Sequence, residues 1–132
     1  MMMYADVSTE KPDCWDRLEK VFGVDWNSGI VVAWKGKIHT KVGKVSDHIY
    51  VHEQVHLKQQ EKYSPDDYLD KYIEDIEFRF QMELEAFQAE IAYIREFYKK
   101  AIVEDKIDKI CRTLSSSIYG NIISYEEIKK IL

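Results

Sequence analysis

His52, Glu53 and His56 are the residues of this chain whose types and spacing could do chemistry. On a helix, the two histidines lie one turn apart on the same face, with about 5–6 Å between their Cβ atoms. Two imidazoles so placed can bind one zinc ion, which needs Zn–N distances of ~2.0–2.1 Å. Glu53 lies about 100° around the helix from His52, where it can take a proton from a water molecule that the zinc activates. The pattern therefore predicts zinc-dependent hydrolysis, with Glu53 as the general base.

The residues around this motif predict the helix that it requires. Ser46 is a candidate N-cap, and Asp47 follows it with a negative charge in the first turn. The helix is expected to continue to Lys62 and to end before the Ser-Pro pair at 64–65, because a proline disfavours helical backbone in the residue before it. The alternative is that both histidines are solvated residues on an ordinary surface helix.

A catalytic zinc takes three protein ligands and leaves one position open, so a third ligand is needed. A long helical stretch is predicted from Ser64 to Lys100, and Glu83 falls within its apolar stripe, whereas Glu85 points to the polar side. A buried carboxylate needs a cation, a proton or hydrogen bonds to offset its desolvation. Glu83 is therefore the predicted third ligand, unless it is a partly exposed carboxylate paired with a neighbouring basic residue. Glu90 is the next candidate, as a ligand or as an acceptor for a ligating imidazole.

These two segments resemble the motifs of the zincin metallopeptidases. In their gluzincin branch the third ligand is a glutamate on a later helix, commonly followed three residues on by a small residue, and Glu83 and Ala86 match that pattern. The run 82–90 also resembles the second motif of small zincin-like proteins of phages and mobile elements. The resemblance covers about residues 30 to 95. It implies a zinc metallopeptidase that binds Zn²⁺ and acts on a peptide or protein substrate.

One position departs from the zincin pattern. Thermolysin-like enzymes have an aspartate four residues after the ligand glutamate, where it orients the first histidine, and this chain has Phe87 there. The resemblance therefore requires another acceptor for that histidine, either Glu90 or a backbone carbonyl.

The other segments predict an α+β, predominantly helical domain. A short helix is expected between Pro12 and Gly23, two strands at 30–34 and 37–42 with a turn between them, and two helices in residues 101–132. The expected unit is a single domain over residues 1–132, with a core at 30–100 and a C-terminal helical extension. The resemblance implies a minimal zincin-like domain, in which the antiparallel hairpin packs on the motif helix beside a second, ligand-bearing helix. A third strand or a helix must complete the hairpin, which would be marginal alone.

Further candidates are less specific. In zincins the strand beside the motif helix is an exposed edge that holds the peptide, and residues 37–42 resemble it, although they could form an ordinary hairpin strand. His39 and Tyr119 are candidates for stabilising the transition state. The alternatives are that Tyr119 packs at a helix junction with its hydroxyl satisfied, and that His39 has no role in the site. His48 is expected to be solvated or capping. Gln59 and its neighbour either hydrogen-bond within the site or face solvent.

The composition of the chain limits the classes of partner and the cellular location that we expect. The 132 residues carry a net charge of −5, which gives no general attraction to nucleic acid or to an anionic membrane. No apolar run has the length of a membrane span, and the first residues lack the pattern of a secretory signal. Cys14 and Cys111 are expected to be buried, unpaired thiols. A soluble, cytoplasmic protein is therefore expected, with a possible protein partner that completes a shallow cleft.

A second function class remains open at this point. A small domain gains folding energy from a structural metal, so the same histidines could belong to a non-catalytic, zinc-stabilised helical interaction module. Glu53 favours the enzyme, because a structural site needs no carboxylate beside its histidines.

Overall fold

This computed structural model describes residues 6–132. They contain three short strands and six α-helices, joined by loops and short turns. In chain order they are β1 (Asp6–Ser8), α1 (Trp15–Phe22), β2 (Val32–Trp34), β3 (Lys37–His39), α2 (Asp47–Gln60), α3 (Pro65–Glu74), α4 (Ile76–Phe97), α5 (Lys100–Leu114) and α6 (Tyr125–Ile131). The expected α+β, predominantly helical class is confirmed.

The small sheet has the order β1-β3-β2, so β3 is its central strand. β2 and β3 form the predicted antiparallel hairpin, whose turn places Lys35 and Gly36 at φ values of 49° and 80°. β1 pairs with β3 in parallel, with Val7 opposite Ile38. The prediction that residues 37–42 form an exposed edge is therefore wrong, because β1 takes up the main-chain groups that the hairpin leaves unpaired on that side. β2 is an edge strand instead.

α2 carries the motif, and its last residue attaches the hairpin to it. The Gln60 side chain donates to the Ala33 carbonyl at 2.8 Å and accepts from the Lys35 N–H at 3.3 Å. The helix follows Ser46 as predicted, although the Ser46 side chain makes no capping hydrogen bond, and it ends two residues before the predicted Lys62. The hairpin therefore lies against the C-terminal end of the motif helix.

The predicted continuous helix from Ser64 to Lys100 is interrupted. Asp75 has extended backbone (φ −110°, ψ 102°), and its side chain accepts a hydrogen bond from the Phe78 N–H at 3.1 Å. Aspartate competes for backbone N–H groups in this way and so begins a new helix. α3 and α4 therefore pack against each other. Tyr72 and Glu83, which would be about 16 Å apart along one continuous helix, come into contact.

Two groups of buried side chains hold these elements together. One joins α1, β2 and α3, and consists of Cys14, Trp34, Tyr68 and Leu69. The other joins α4, α5, α6 and the turn before α6, and consists of Phe80, Ile91, Ile110, Cys111, Leu114, Tyr119 and Ile128. Both cysteines are free and buried, as predicted. Within residues 6–132, no helix is long and apolar enough to cross a membrane.

Candidate metal centre

α2 and α4 bring His52, His56 and Glu83 into contact. Glu83 Oε1 lies 3.0 Å from His52 Nε2 and 3.1 Å from His56 Nε2, and the two Nε2 atoms are 3.1 Å apart. Each of the three residues is only 7% exposed. Solvated histidines are therefore excluded. The predicted faces of α4 are also observed, since Glu83 is buried and Glu85 is exposed.

A chain of hydrogen bonds orients His56. Its Nδ1 lies 2.9 Å from Gln59 Oε1, which also accepts from the Tyr68 hydroxyl at 3.1 Å. The Gln59 amide nitrogen donates to the Met82 carbonyl at 3.0 Å, which fixes the orientation of the amide. Nδ1 of His56 is therefore the N–H donor, and its Nε2 lone pair faces Glu83. This role of Gln59 was left open by the sequence.

Glu90 lies on the other side of His52. Its Oε1 is 3.0 Å from His52 Nδ1, although this contact is out of line with the ring N–H and does not form a regular hydrogen bond. Its Oε2 is 2.6 Å from His48 Nδ1, and His48 Nε2 is 3.5 Å from Lys106 Nζ. The Phe87 ring packs edge-on against the His52 ring, with 4.4 Å between the ring centroids. Glu90 thus stands where an acceptor for His52 is needed, and His48 is neither solvated nor capping.

Glu83 is held by a tyrosine that the sequence did not indicate. The Tyr72 hydroxyl donates to Glu83 Oε2 at 2.7 Å, which turns Oε1 toward the histidines. Tyr72 and Tyr119 both line a cavity beside this group. The break at Asp75 makes this possible, because Tyr72 and Glu83 would otherwise be separated along one helix. The signal that could have found Tyr72 is the capping preference of Asp75.

The three converging atoms are all acceptors when the histidines are neutral. Gln59 Oε1 accepts from Nδ1 of His56, and a Glu90 oxygen lies near Nδ1 of His52, so in the neutral Nδ1–H tautomers both Nε2 lone pairs are directed at Glu83 Oε1. No N–H or O–H donor is then available among these three atoms, and their lone pairs repel one another. The arrangement is stable only if a cation, either a metal ion or protons, lies between them.

Protons are the other cations that can occupy this place. Burial by itself lowers the pKa of His52, but the carboxylates of Glu83 and Glu90, each 3.0 Å from one of its ring nitrogens, outweigh it and raise this pKa to about 10. Burial also opposes the charged form of His56, yet the charge of Glu83 raises its pKa. Burial favours neutral Glu83, but both histidines hold its pKa well below the ordinary range. Protons and a metal ion therefore compete for the same atoms.

Glu53 belongs to the same buried group. The ligand atoms of His52, Glu53 and His56 all lie within 4.8 Å of one another, so this group could hold a metal ion. Glu83 makes the closer approach to both histidines, at 3.0 and 3.1 Å. Glu53 is 7% exposed, forms no hydrogen bond with any residue from 6 to 132, and has its pKa raised by burial. It is a largely buried carboxylate without a hydrogen-bond partner in the described chain, and its oxygens keep some accessible surface in the cavity described next.

A cavity of about 270 Å³ opens beside this group. Its polar lining consists of Glu53, His56, Gln60, Tyr68, Tyr72, Arg79, Glu83 and Tyr119. The remainder is mainly apolar and is lined from α1, from residues 30–34 and from Ile118. The walls thus include side chains from outside the expected 30–100 core, and the C-terminal region of the chain itself closes one side.

The two candidates for transition-state stabilisation lie in different places. Tyr119 is buried in the turn before α6 and lines the cavity. His39 is buried in the sheet, where its Nδ1 is 2.9 Å from the Glu10 carbonyl, and it is not among the residues that line the cavity. The structure therefore brings Tyr119, and not His39, to the site.

Comparison with known proteins gave no match to any protein-family model, curated protein or solved structure. The resemblance to zincins therefore depends on the two sequence motifs alone.

Proposed function

We propose that this protein is a zinc-dependent peptidase in which His52, His56 and Glu83 hold Zn²⁺ and Glu53 is the general base. The observation that carries the proposal is Glu53, a buried carboxylate that lines the cavity beside the ligands and accepts no hydrogen bond within the described chain. Burying such a group without a partner is unfavourable, and a purely structural metal site does not require it. A general base next to a reacting water does.

The donor set fits zinc. Ligand atoms around a tetrahedral ion at ~2.0–2.1 Å are about 3.3 Å apart, and the three atoms here are 3.0 to 3.1 Å apart. Both histidines present Nε2 while an oxygen atom lies near each Nδ1, which is the usual arrangement of metal-binding histidines. Three protein ligands leave the fourth position open.

The zinc ion and the protein side chains would have different roles in the reaction. Zinc, when bound, lowers the pKa of water and polarises a carbonyl group. Glu53 takes the proton from the attacking water and passes it to the leaving amine. The Tyr119 hydroxyl, on the cavity wall, is our candidate donor to the developing oxyanion. The apolar walls lower the local dielectric around these groups, which strengthens their interactions.

The substrate strand is proposed to lie along β2. β2 is an edge strand, and residues 30–34 line the cavity, whereas β3 is covered on both sides. An extended peptide adds to a free sheet edge through main-chain hydrogen bonds. The Ala33 carbonyl is already bonded to Gln60, so pairing is expected at residues 30–32.

A non-catalytic, zinc-stabilised helical interaction module is the second candidate. The observation in its favour is that the ligand group and its partners join α2, α3 and α4 in the interior, where a metal ion would stabilise the fold. A protein partner and the cytoplasmic location remain expectations from the sequence.

The experiment that tests the proposal is hydrolysis of an unfolded polypeptide by the purified, full-length protein. We expect cleavage by the zinc-loaded protein, loss of cleavage after chelation, and recovery when one equivalent of zinc is returned. Product masses identify the cleaved bonds. Zinc-loaded protein that binds the polypeptide but leaves it intact would favour the interaction module.

The ligand assignment is tested by the two neighbouring glutamates of α4. Glu83→Ala should weaken zinc binding by more than the ~10–100-fold that loss of a side chain orienting a ligand costs. Glu85→Ala is the matched control and should leave affinity nearly unchanged, because Glu85 is exposed on the opposite face. Competition with a chromophoric chelator measures both affinities. The reverse order would show that Glu83 is not the ligand.

A further inference from the structure

Arg79 is a buried cation on the cavity wall that has no anionic partner among the described residues. It is 6% exposed, and its Nη1 donates to the Tyr72 and Ile73 carbonyls at 3.1 and 3.2 Å. Its Nε is buried and has no hydrogen-bond partner within residues 6–132. No carboxylate between residues 6 and 132 forms an ion pair with Arg79, and Glu83, one turn later, is engaged with the histidines and Tyr72 instead.

A structural role accounts for only some of the N–H groups of the Arg79 side chain. The two carbonyl groups belong to the last turn of α3, so Nη1 satisfies acceptors at the negative end of that helix. The rings of Phe22 and Tyr72 lie 5.0 and 5.9 Å from the guanidinium carbon and offset some of its desolvation. The edge formed by Nε and Nη2 makes no hydrogen bond with the described residues. A guanidinium cannot lose its charge, and a carboxylate is an anion that its unpaired N–H groups can bind.

The position of Arg79 relates its unpaired charge to the proposed zinc site. Arg79 and Glu83 are four residues apart on α4, which places their Cβ atoms about 5–6 Å apart on one face. Both line the same cavity, whose remaining walls are mainly apolar and include Leu18, Phe22 and Ile30. At about 270 Å³ the cavity is at the small end of ligand sites, which are typically ~300–1,000 Å³. A small ligand with an apolar body and one negative end fits these features.

We propose that Arg79 binds the C-terminal carboxylate of the substrate, and that the apolar part of the cavity takes the last side chain. This inference rests on the proposed peptidase function and makes it an exopeptidase acting at free C-termini. Water is added across the peptide bond near the terminus: its hydroxyl goes to the carbonyl carbon, and its proton goes through Glu53 to the released amine. Arg79 positions the terminus and does not itself react.

Binding of a small probe tests the carboxylate site without requiring catalysis. The probe is 3-phenylpropionate, and its primary amide is the neutral match. NMR titration of the full-length protein should show at least about tenfold tighter binding of the acid than of the amide, before and after chelation of zinc. Arg79→Gln should abolish this preference, because it keeps an amide donor for the two carbonyls but removes the charge. Arg79→Lys should restore part of it.

Arg95→Gln is the matched control, since Arg95 lies on the same helix, is exposed and donates to the Leu132 carbonyl. It should bind the acid like wild type. Acid binding that disappears on chelation and is unchanged in Arg79→Gln would mean that zinc holds the carboxylate, which overturns the proposal. Absence of any preference for the acid in the wild-type protein would overturn it as well.

Cleavage of matched peptides separates this proposal from the proposed function. Peptides with a free apolar C-terminal residue should be cleaved at least about tenfold faster, in kcat/KM, than the same peptides ending in an amide. Arg79→Gln should remove the difference. Equal cleavage of both forms would support the peptidase and overturn the role of Arg79. Arg79-dependent acid binding without cleavage of either peptide would support the carboxylate site and contradict the peptidase.

Discussion

Replacing His52 or His56 with alanine is expected to abolish stoichiometric zinc binding. The wild-type protein should contain about one zinc per chain after mild purification, because three buried donor atoms lie within 3.1 Å of one another. Each variant should fall below about 0.1 zinc per chain, since two remaining ligands hold the ion poorly. Elemental analysis measures the content, and circular dichroism shows whether each variant is folded.

The same loss should appear as a loss of stability. A metal present at 1,000 times its dissociation constant stabilises the folded state by about 4 kcal/mol. For a domain of this size that corresponds to roughly 10–15 °C in Tm. Chelation should therefore lower the Tm of the wild-type protein by this amount and leave the Tm of the two histidine variants unchanged.

His39→Gln is the control for this experiment. His39 is also buried, but it contacts the Glu10 carbonyl in the sheet, and a glutamine can keep that contact as an amide donor. It should retain one zinc and the response to chelation. If both site variants kept their zinc, the ion would be bound elsewhere, and the assignment of this site would be wrong.

Glu53→Gln is expected to retain zinc and to lose hydrolysis. Glutamine has the shape of glutamate but cannot accept the proton of the attacking water, so the rate should fall by ~10²–10⁴-fold. Substrate binding should change little, because the change acts on proton transfer. Steady-state kinetics with a fluorogenic peptide, together with elemental analysis, measures both effects.

Stability gives this variant an independent readout. Glu53 is buried without a hydrogen-bond partner in the described chain, and burial raises its pKa. Removing a carboxylate from such an environment relieves desolvation, so the variant should be at least as stable as wild type at neutral pH. Lower activity therefore cannot be attributed to unfolding. Glu61→Gln, an exposed change just after α2, is the control and should keep full activity.

Two outcomes would contradict the assignment of Glu53. Hydrolysis at the wild-type rate would remove Glu53 from the mechanism. Loss of zinc would show that Glu53 is itself a ligand, as its place within 4.8 Å of the histidine atoms permits, and Glu83 would then have a supporting role.

Local patterns determined much of this site. The spacing of His52 and His56 on a helix places both rings on one face because the helical repeat is regular. The apolar stripe of α4 separates buried Glu83 from exposed Glu85 for the same reason. The hairpin turn at Lys35 and the N-cap of α6, where Ser124 Oγ accepts from the Glu127 N–H, are also short-range, since each depends on residues that are adjacent or three apart. Such features are visible in the sequence because their causes lie within one turn of chain.

Only the tertiary structure decided how these elements are completed. Asp75 ends one helix and begins another, which brings Tyr72 to Glu83, and a periodic apolar pattern does not show that break. The pairing of β1 with β3 joins segments about 30 residues apart and converts the expected edge strand into a central one. The contacts of Glu90 with His48 and His52, and the isolation of Arg79 from every described carboxylate, also depend on how α2, α3, α4 and α5 pack. These contacts form between residues distant in sequence, and their free energies depend on burial and on neighbouring charges that no local spacing specifies.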